Sequence, residues 1–407
     1  MNYKEAYEKL EKCGQLHVLD YYERLTVPEK EALLEQIDNT DFKVLKYCKN
    51  NTTNQKGEIA PLIAMQISQI EENRERYTAI GLEEIKKGKV AAVLLAGGMG
   101  TRLGSDSPKG MFDIGITRPV YIFQRIIENL LDVVKDAETW IHLFVMTSDK
   151  NHEITMEFFE EQEYFGYNKA FVTFFKQEMV PASDYEGKVY MEEMGKISTS
   201  PNGNGGWFTS MSKWGLVDTV KKNGIEWLNV FAVDNVLQRI ADPCFVGAVI
   251  ANGCVSGAKV VKKKTPDERV GTLCLEDGRP SIVEYYELTE AMKEAKDERG
   301  EPAYNFGVIL NYLFRVKDLD VTTEDKLPLH VVEKKIPYID KSGKTVSPDK
   351  PNGYKYETLV LDMIHHVDNC LSYEVERDRE FAPIKNAVGV DSVDTARELC
   401  RENGIVL

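Results

Sequence analysis

The residues best equipped for chemistry lie in one stretch, VLLAGGMGTRLGSDSPKGMF at residues 93–112. Glycines stand at 97, 98, 100 and 104, with Arg102 among them and Lys109 following Pro108. The run before the glycines, VAAVLLA at residues 90–96, is apolar throughout, which suits a strand buried on both faces. A buried strand that ends in a glycine-rich turn bares backbone N–H groups at the carboxyl edge of a sheet. Open α/β sheets bind their ligands there. Glycine leaves no side chain to block close approach. Arg102 and Lys109 set two positive charges beside a turn already suited to phosphate. A plain strand–loop–helix corner would need neither cation.

Two familiar phosphate loops do not fit. Counted from Gly98 and Gly100, the dinucleotide fingerprint needs glycine at 103, which is Leu103. A P-loop needs Ser or Thr after its lysine, and Lys109 is followed by Gly110. The pattern that stands is L-A-G-G-x-G-T-R-L-G, then P-K-G. It closely resembles the signature of the nucleotide-sugar pyrophosphorylases, and of their UDP-N-acetylhexosamine branch in particular. The UDP-glucose branch typically lacks the Thr-Arg-Leu-Gly form. Met99 departs from the glutamine usual at that place.

Composition narrows the classes further. A chain of 407 residues suits two or three domains. Its 43% hydrophobic content is ordinary for a soluble globular protein. No apolar run reaches the ~18 residues of a membrane span. The opening MNYKEAYEKLEKCGQ is charged and amphipathic, without a signal-peptide core. Seven scattered cysteines, with no CxxC spacing, argue against a disulfide framework and against a zinc site. The reading is a reducing cytoplasm and no membrane partner. A formal charge of -15 argues against nucleic acid as a partner. Any site for a polyanion must then be locally basic.

The elements that would position these groups follow from periodicity. Residues 1–88 read as a helical region, with Ala6, Leu10, Cys13, His17 and then Ala32, Leu33, Ile37 at helical spacing. Thr26 to Glu29 reads as a capping box with Pro28 in the first turn. NNTTN at 50–54 and Lys87-Gly88 read as linkers. Residues 120–134 predict an amphipathic helix with Ile122, Ile126, Leu130 and Val134 on its stripe. Residues 141–148 and 171–175 predict strands. His142, inside the first, reads as a core histidine with a satisfied ring rather than a catalytic one. Alternation of strands and helices predicts a mostly parallel sheet. The catalytic domain would span 89–386, and a short tail with a helix at 395–403 would span 387–407.

Further along, PNGNGG at 201–206 is a second glycine-rich loop before a helix at 208–220. A strand at 227–233 ends in Asp234-Asn235. Two readings of Asp234 stand: a Mg2+ ligand beside a phosphate site, or the N-cap of a following helix. The cluster Lys262, Lys263, Lys264 reads as a solvated face. Polar groups at 282–285 and 304–307 suit sugar hydroxyls or turns. FAPIKN at 381–386 sets Lys385 after a proline-bearing turn.

The resemblance runs through the chain in order: the glycine loop, FFKQEMVPA, PNGNGG, FAVDN, GAKVV, VEY, YNFG, KKIPYID, KPNGYK and FAPIKNA. It implies a Rossmann-like, GT-A-like α/β nucleotidyltransferase with a mixed, mostly parallel sheet, an N-terminal helical region and a very short C-terminal extension. It also implies that UTP and a sugar 1-phosphate give a UDP-sugar and pyrophosphate, with Mg2+. Position by position, Gly97, Gly98 and Thr101 match the loop against the nucleotide. Gln177 matches a glutamine reading the uracil edge, since an amide can both donate and accept. Asn204 and Gly205 match the loop by base and sugar. Arg102 and Lys109 match cations on the triphosphate, and Lys385 a lysine reaching the phosphates from the far side. Asp234 matches the acid near the metal. Glu284 and Asn305 match groups on the hexose hydroxyls, and Lys355 is a further candidate there.

Two departures bear on the expectation. The chain ends soon after Lys385, where the family carries a domain often used in self-association, so a monomer is expected. The family walls its sugar pocket with two phenylalanines, where this chain reads Glu357-Thr358-Leu359-Val360-Leu361. N-acetylglucosamine 1-phosphate is the expected substrate, with glucose 1-phosphate or a broad sugar range as the alternative. In-line attack on the α-phosphorus needs alignment and charge stabilisation but no covalent nucleophile. A glycosyltransferase would favour D-x-D, whereas Asp234 is followed by Asn235 and Val236. A non-catalytic sensor would be marked by loss of Arg102 or Lys109, and both are present.

Overall fold

The structure is a computed structural model that describes residues 1–48, 56–322 and 327–407. The linker expected at 50–54 lies outside the described residues. The chain forms two compact units, each assembled from three segments. The smaller takes Met1–Gln55, Glu178–Gly206 and Leu327–Val360, and the larger takes Lys56–Gln177, Trp207–Lys326 and Leu361–Leu407.

In the smaller unit, helices Tyr3–Cys13 and Val27–Asn39 follow the expected periodicity. The Thr26 backbone N–H donates to Glu29 Oε2 at 2.7 Å, closing the predicted capping box. Ala6, Leu10, Leu33 and Ile37 are buried against Val180, Val189, Ile197 and Tyr356. Cys13 and Ala32, read as part of the apolar stripes, face solvent instead. A three-stranded sheet of His330–Lys334, Gly353–Glu357 and Ser183–Asp184 completes this core.

The larger unit is built on a ten-stranded mixed sheet. Strand Val90–Leu95 is buried at every residue. It lies parallel to Trp227–Ala232 on one side and His142–Thr147 on the other, with Val172–Lys176 parallel beyond. Parallel neighbours need a crossover. Helix Ile122–Ala137 supplies one, burying Ile122, Ile126, Leu130 and Val134 as the spacing predicts. From Trp227–Ala232 outward the sheet turns antiparallel, through Phe306–Arg315 to Ser256–Lys262 and Thr272–Glu276. The mixed α/β class is as expected, but the sheet is not mostly parallel: among the described residues four of its pairings are parallel and five antiparallel, and the parallel part carries the glycine loop. His142 is a half-buried member of its strand. Its Nε2 lies 3.2 Å from Thr173 Oγ1, its ring stacks on Phe144 at 4.7 Å, and burial lowers its pKa.

Three local readings change. The helix expected at 208–220 is two helices, Trp207–Lys213 and Leu216–Lys222, because Gly215 adopts a left-handed backbone between them (φ 68). Residues 59–61 form a strand of the large sheet rather than continuing the helical region, and helix Ile67–Lys86 follows. Lys263 is not solvated: it is 9% exposed, with Nζ 3.5 Å from Thr272 Oγ1. Lys259, in the same stretch, is buried completely. Its Nζ meets Asp242 Oδ2 at 3.1 Å and Glu380 Oε2 at 2.5 Å. Buried charges persist only when paired and hydrogen-bonded in this way.

Among the described residues no helix is long and apolar enough to cross a membrane. Helices Ile67–Lys86 and Pro243–Ala251 cross at two glycines. A Cβ on Gly81 would stand 1.9 Å from the Pro243 carbonyl oxygen, and one on Gly247 would stand 1.8 Å from that of Tyr77. Gly247→Val should therefore force the helices apart and destabilise the protein by about 1–3 kcal/mol or more, the range of overpacked cores. Urea unfolding measures this; an unchanged midpoint would show that the crossing can open at no cost.

Candidate active site

The glycine loop is held in shape by its own backbone. Ala96 N–H donates to the Met146 carbonyl (2.8 Å), Gly100 N–H to Ser107 (2.8 Å) and Lys109 N–H to Gly98 (3.1 Å). Buried Asn151 donates from Nδ2 to the Ala96 carbonyl at 2.9 Å. Among the described residues, nothing lies within 4 Å of where a Cβ on Gly98 would stand, so that face of the loop is open. Gly97 is closed by a protein group: a Cβ there would stand 2.4 Å from Gln177 Nε2. Gln177 follows strand Val172–Lys176, donates its N–H to the Thr147 carbonyl (2.8 Å) and is 7% exposed. Thus Gly97 and Gln177, far apart in sequence, meet because their strands flank His142–Thr147. Thr101 and Arg102 are exposed on the same loop.

Lys109 opens a single turn of helix, Lys109–Met111. Its Nζ lies 3.5 Å from Asp234 Oδ2, with side-chain exposures of 12% and 23%. Burial lowers the Lys109 pKa and the Asp234 carboxylate opposes this. The charges of Arg102 and Lys385 lower it further. The structure therefore brings Arg102, Lys109, Asp234 and Lys385 into one electrostatic neighbourhood.

Asp234 sits in a turn just beyond strand Trp227–Ala232. The capping reading fails, because the next helix, Pro243–Ala251, is capped by Asp242, whose Oδ1 accepts from Cys244 N at 3.1 Å. Two neighbours lock the turn. Asn235 Nδ2 donates to the Glu380 carbonyl (2.7 Å), and its Oδ1 accepts from Ala382 N (2.9 Å). Gln238 Nε2 donates to the carbonyls of Ala232 (2.7 Å) and Asn235 (2.9 Å). Ile384 N–H donates to the Asp234 carbonyl (2.9 Å). The segment that delivers Lys385 is thereby fastened to the segment that delivers Asp234. Lys385 Nζ pairs with Asp391 Oδ2 at 3.2 Å. Sequence reasoning missed Asn235, Gln238 and Asp391. Only Asn235 carried a signal, as part of FAVDN.

Of the hexose candidates, Glu284 is half-buried at the end of strand Arg279–Val283. Its N–H donates to Glu287 Oε2 at 2.8 Å. Burial foremost, and then the charges around it, Glu284 and Asp362 among them, push the Tyr312 hydroxyl pKa up. Asn305 precedes strand Phe306–Arg315 and accepts Lys263 N–H on its carbonyl (2.8 Å). It lines a cavity of about 70 Å³ with Lys263, Leu288, Met292 and Tyr304.

The smaller unit holds the remaining three. Asn204 Oδ1 accepts from Val360 N (2.9 Å), and Gly205 N–H donates to the Thr358 carbonyl (2.9 Å). A Cβ on Gly205 would stand 2.6 Å from the Leu359 carbonyl carbon. The second glycine loop thus lets the backbone of 357–360 lie against it, a structural use that its composition did not reveal. Lys355 is half-buried in strand Gly353–Glu357, opposite Val332.

Comparison with known proteins gives the family. A family model described as UTP--glucose-1-phosphate uridylyltransferase matches residues 39–394. A UDP-N-acetylglucosamine pyrophosphorylase of Saccharomyces cerevisiae is 37% identical over 416 residues, covering 95% of this chain and 87% of its own. UDP-N-acetylhexosamine pyrophosphorylase-like protein 1 of Mus musculus is 34% identical, covering 94% and 80%. The crystal structure of the uridine diphosphate N-acetylglucosamine pyrophosphorylase from Trypanosoma brucei, in complex with inhibitor, superposes with a TM-score of 0.81. It is 27% identical, with 97% of this chain and 84% of that chain covered. Matched over most of its length by the family model and by relatives above 30% identity, this chain belongs to the UTP--glucose-1-phosphate uridylyltransferase family of nucleotidyltransferases.

Proposed function

We propose that this chain joins UTP to N-acetylglucosamine 1-phosphate, giving UDP-N-acetylglucosamine and pyrophosphate, reversibly and with Mg2+. The observation that carries the reading is the Lys109–Asp234 pair, in the field of Arg102 and Lys385, at the carboxyl end of parallel strands. The name of the yeast relative supports N-acetylglucosamine, and that of the mouse relative supports an N-acetylhexosamine. A cytoplasmic monomer fits this reading.

The roles proposed are those that the family resemblance implies. Gln177, seated on Gly97, offers its amide to the uracil edge, and Thr101 and the open face at Gly98 receive the nucleotide. Asn204 and Gly205 bound the base and sugar. By resemblance, Glu284 and Asn305 are assigned to the hexose, and Lys355 of the smaller unit is a further candidate for the sugar. Arg102, Lys109 and Lys385 neutralise charge that moves onto the departing pyrophosphate, and no covalent nucleophile is required. Burial makes Lys109 a costly charge that Asp234 sustains before substrate arrives. Mg2+ prefers one or two carboxylates completed by substrate phosphates. Among the described residues no cluster of three or more His, Cys, Asp or Glu could hold a metal alone, and Asp234 supplies the single carboxylate this mode needs. Bound there, the ion would neutralise phosphate oxygens.

Three tests follow. Pyrophosphate release from UTP should be fastest with N-acetylglucosamine 1-phosphate when the galactosamine analogue, glucose 1-phosphate and galactose 1-phosphate are run beside it. A clear preference for glucose 1-phosphate would overturn the sugar assignment. ATP should not replace UTP, and Gln177→Ala should weaken UTP binding by about 1–3 kcal/mol, the cost of unpaired polar groups. Lys109→Ala and Arg102→Ala should each lower turnover by about 10²-fold or more, the scale of one lost transition-state donor. Because the Lys109 pKa is lowered, kcat/KM should also fall as pH rises, below the ordinary lysine range. A folded variant turning over like wild type would remove that residue from the mechanism. Asp234→Asn keeps shape and removes charge. It should stay folded, lose most turnover and need more Mg2+, and an unchanged Mg2+ titration would exclude Asp234 as the ligand.

A further inference from the structure

Lys385 makes a contact that phosphate chemistry does not require. Its ammonium lies 3.2 Å from Asp391 Oδ2, with side-chain exposures of 34% and 28%. Asp391 also closes the intervening loop through its backbone. Its carbonyl accepts from Lys385 N (2.7 Å) and Asn386 N (3.0 Å), and Asn386 Nδ2 donates to the Val390 carbonyl (2.8 Å). Asp391 has a φ of 53°, a left-handed backbone that Asp and Asn adopt more readily than other side chains. Val388 and Val390 at the loop tip are exposed, so no apolar packing at the tip fixes the loop. The Phe381 ring lies 5.9 Å from the ammonium. Asp391 is thus a fixed negative charge at the rim of a cluster otherwise suited to polyanions.

We propose that Asp391 is a counter-ion that holds Lys385 at the rim of the phosphate cluster and competes with pyrophosphate for its ammonium, easing product release. The inference rests on reading Lys385 as a phosphate-contacting group. When pyrophosphate is bound, the ammonium is shared between the product and Asp391. When pyrophosphate leaves, Asp391 takes the ammonium back, so the departing anion leaves behind a paired rather than a bare cation. No covalent change is involved.

The test is titration calorimetry of magnesium pyrophosphate into wild type, Asp391→Asn, Asp391→Ser, Lys385→Met and the Lys385→Met/Asp391→Asn double variant. Asparagine keeps the loop-closing carbonyl and tolerates the left-handed backbone. A purely structural Asp391 would therefore leave affinity unchanged. Asp391→Asn should instead bind magnesium pyrophosphate about three- to tenfold tighter, because the Lys385 ammonium then attracts the product without a competing carboxylate. In turnover assays, inhibition by pyrophosphate should strengthen by the same factor. Asp391→Ser carries the same expectation should the asparagine variant misfold, and Asp391→Glu should restore wild-type affinity. The gain should shrink to under twofold in the Lys385→Met background. Unchanged or weaker binding by Asp391→Asn, or an equal gain without Lys385, overturns the proposal. If Lys385→Met alone leaves affinity unchanged, the phosphate role of Lys385 itself is wrong. If Lys385→Met weakens binding while Asp391→Asn does nothing, only the role of Asp391 falls.

Discussion

The larger unit depends on a set of buried side-chain amides at the end of strand Trp227–Ala232. Asn229, Asn235, Gln238 and Asn311 are each at most 1% exposed. Asn229 Nδ2 donates to Asn311 Oδ1 (2.8 Å), and Asn311 Nδ2 donates to Gln238 Oε1 (3.2 Å). Gln238 and Asn235 then hold the turn at Asp234 and the chain at 380–382. A buried amide is stabilising only when its hydrogen bonds are made, and leaving one open costs more than making it gains. The network therefore tolerates one arrangement of the turn. That arrangement puts Asp234 within reach of Lys109 and sends Lys385 toward the same neighbourhood.

Electrostatics then acts on a frame that cannot easily relax. Three cations and two carboxylates gather where the parallel strands end, in a chain whose net charge is -15. The acidic surface elsewhere makes the local basic cluster the place where an anion is welcome. Lys259 shows the opposite use of a lysine. Wholly buried between Asp242 and Glu380, it ties the cap of helix Pro243–Ala251 to the segment that leads to Lys385.

Much of this was legible before any coordinates. The apolar run at 90–96 and the stripe of Ile122, Ile126, Leu130 and Val134 are local signals, and local periodicity survives folding. The glycine loop announced a phosphate-suited corner by composition. What was not legible depended on partners distant in sequence. Whether Asp234 caps a helix turned on Asp242, eight residues on, taking that role first. Lys263 looked solvated because its neighbours are charged, yet its ammonium faces Thr272 of the strand Thr272–Glu276. The PNGNGG loop read as a ligand loop, while part of its glycine content answers to the backbone at 357–360. Asn235 and Gln238 carry no periodicity at all, since a turn held by side chains has none.

The interleaving of the two units has a consequence for synthesis on the ribosome. The core of the smaller unit joins Leu10 and Ile37 to Tyr356, so its first helices emerge long before their last partners. At ~5–20 residues per second, the interval between them is on the order of 15–60 s. Throughout it, the apolar faces of Tyr3–Cys13 and Val27–Asn39 have no completed core to enter. The larger unit has the same dependence on a late segment, because strand Cys370–Glu374 closes one edge of its sheet. Both units thus depend on segments made late, and the amphipathic helices of the smaller one wait for their core partners through most of the synthesis of the chain between them.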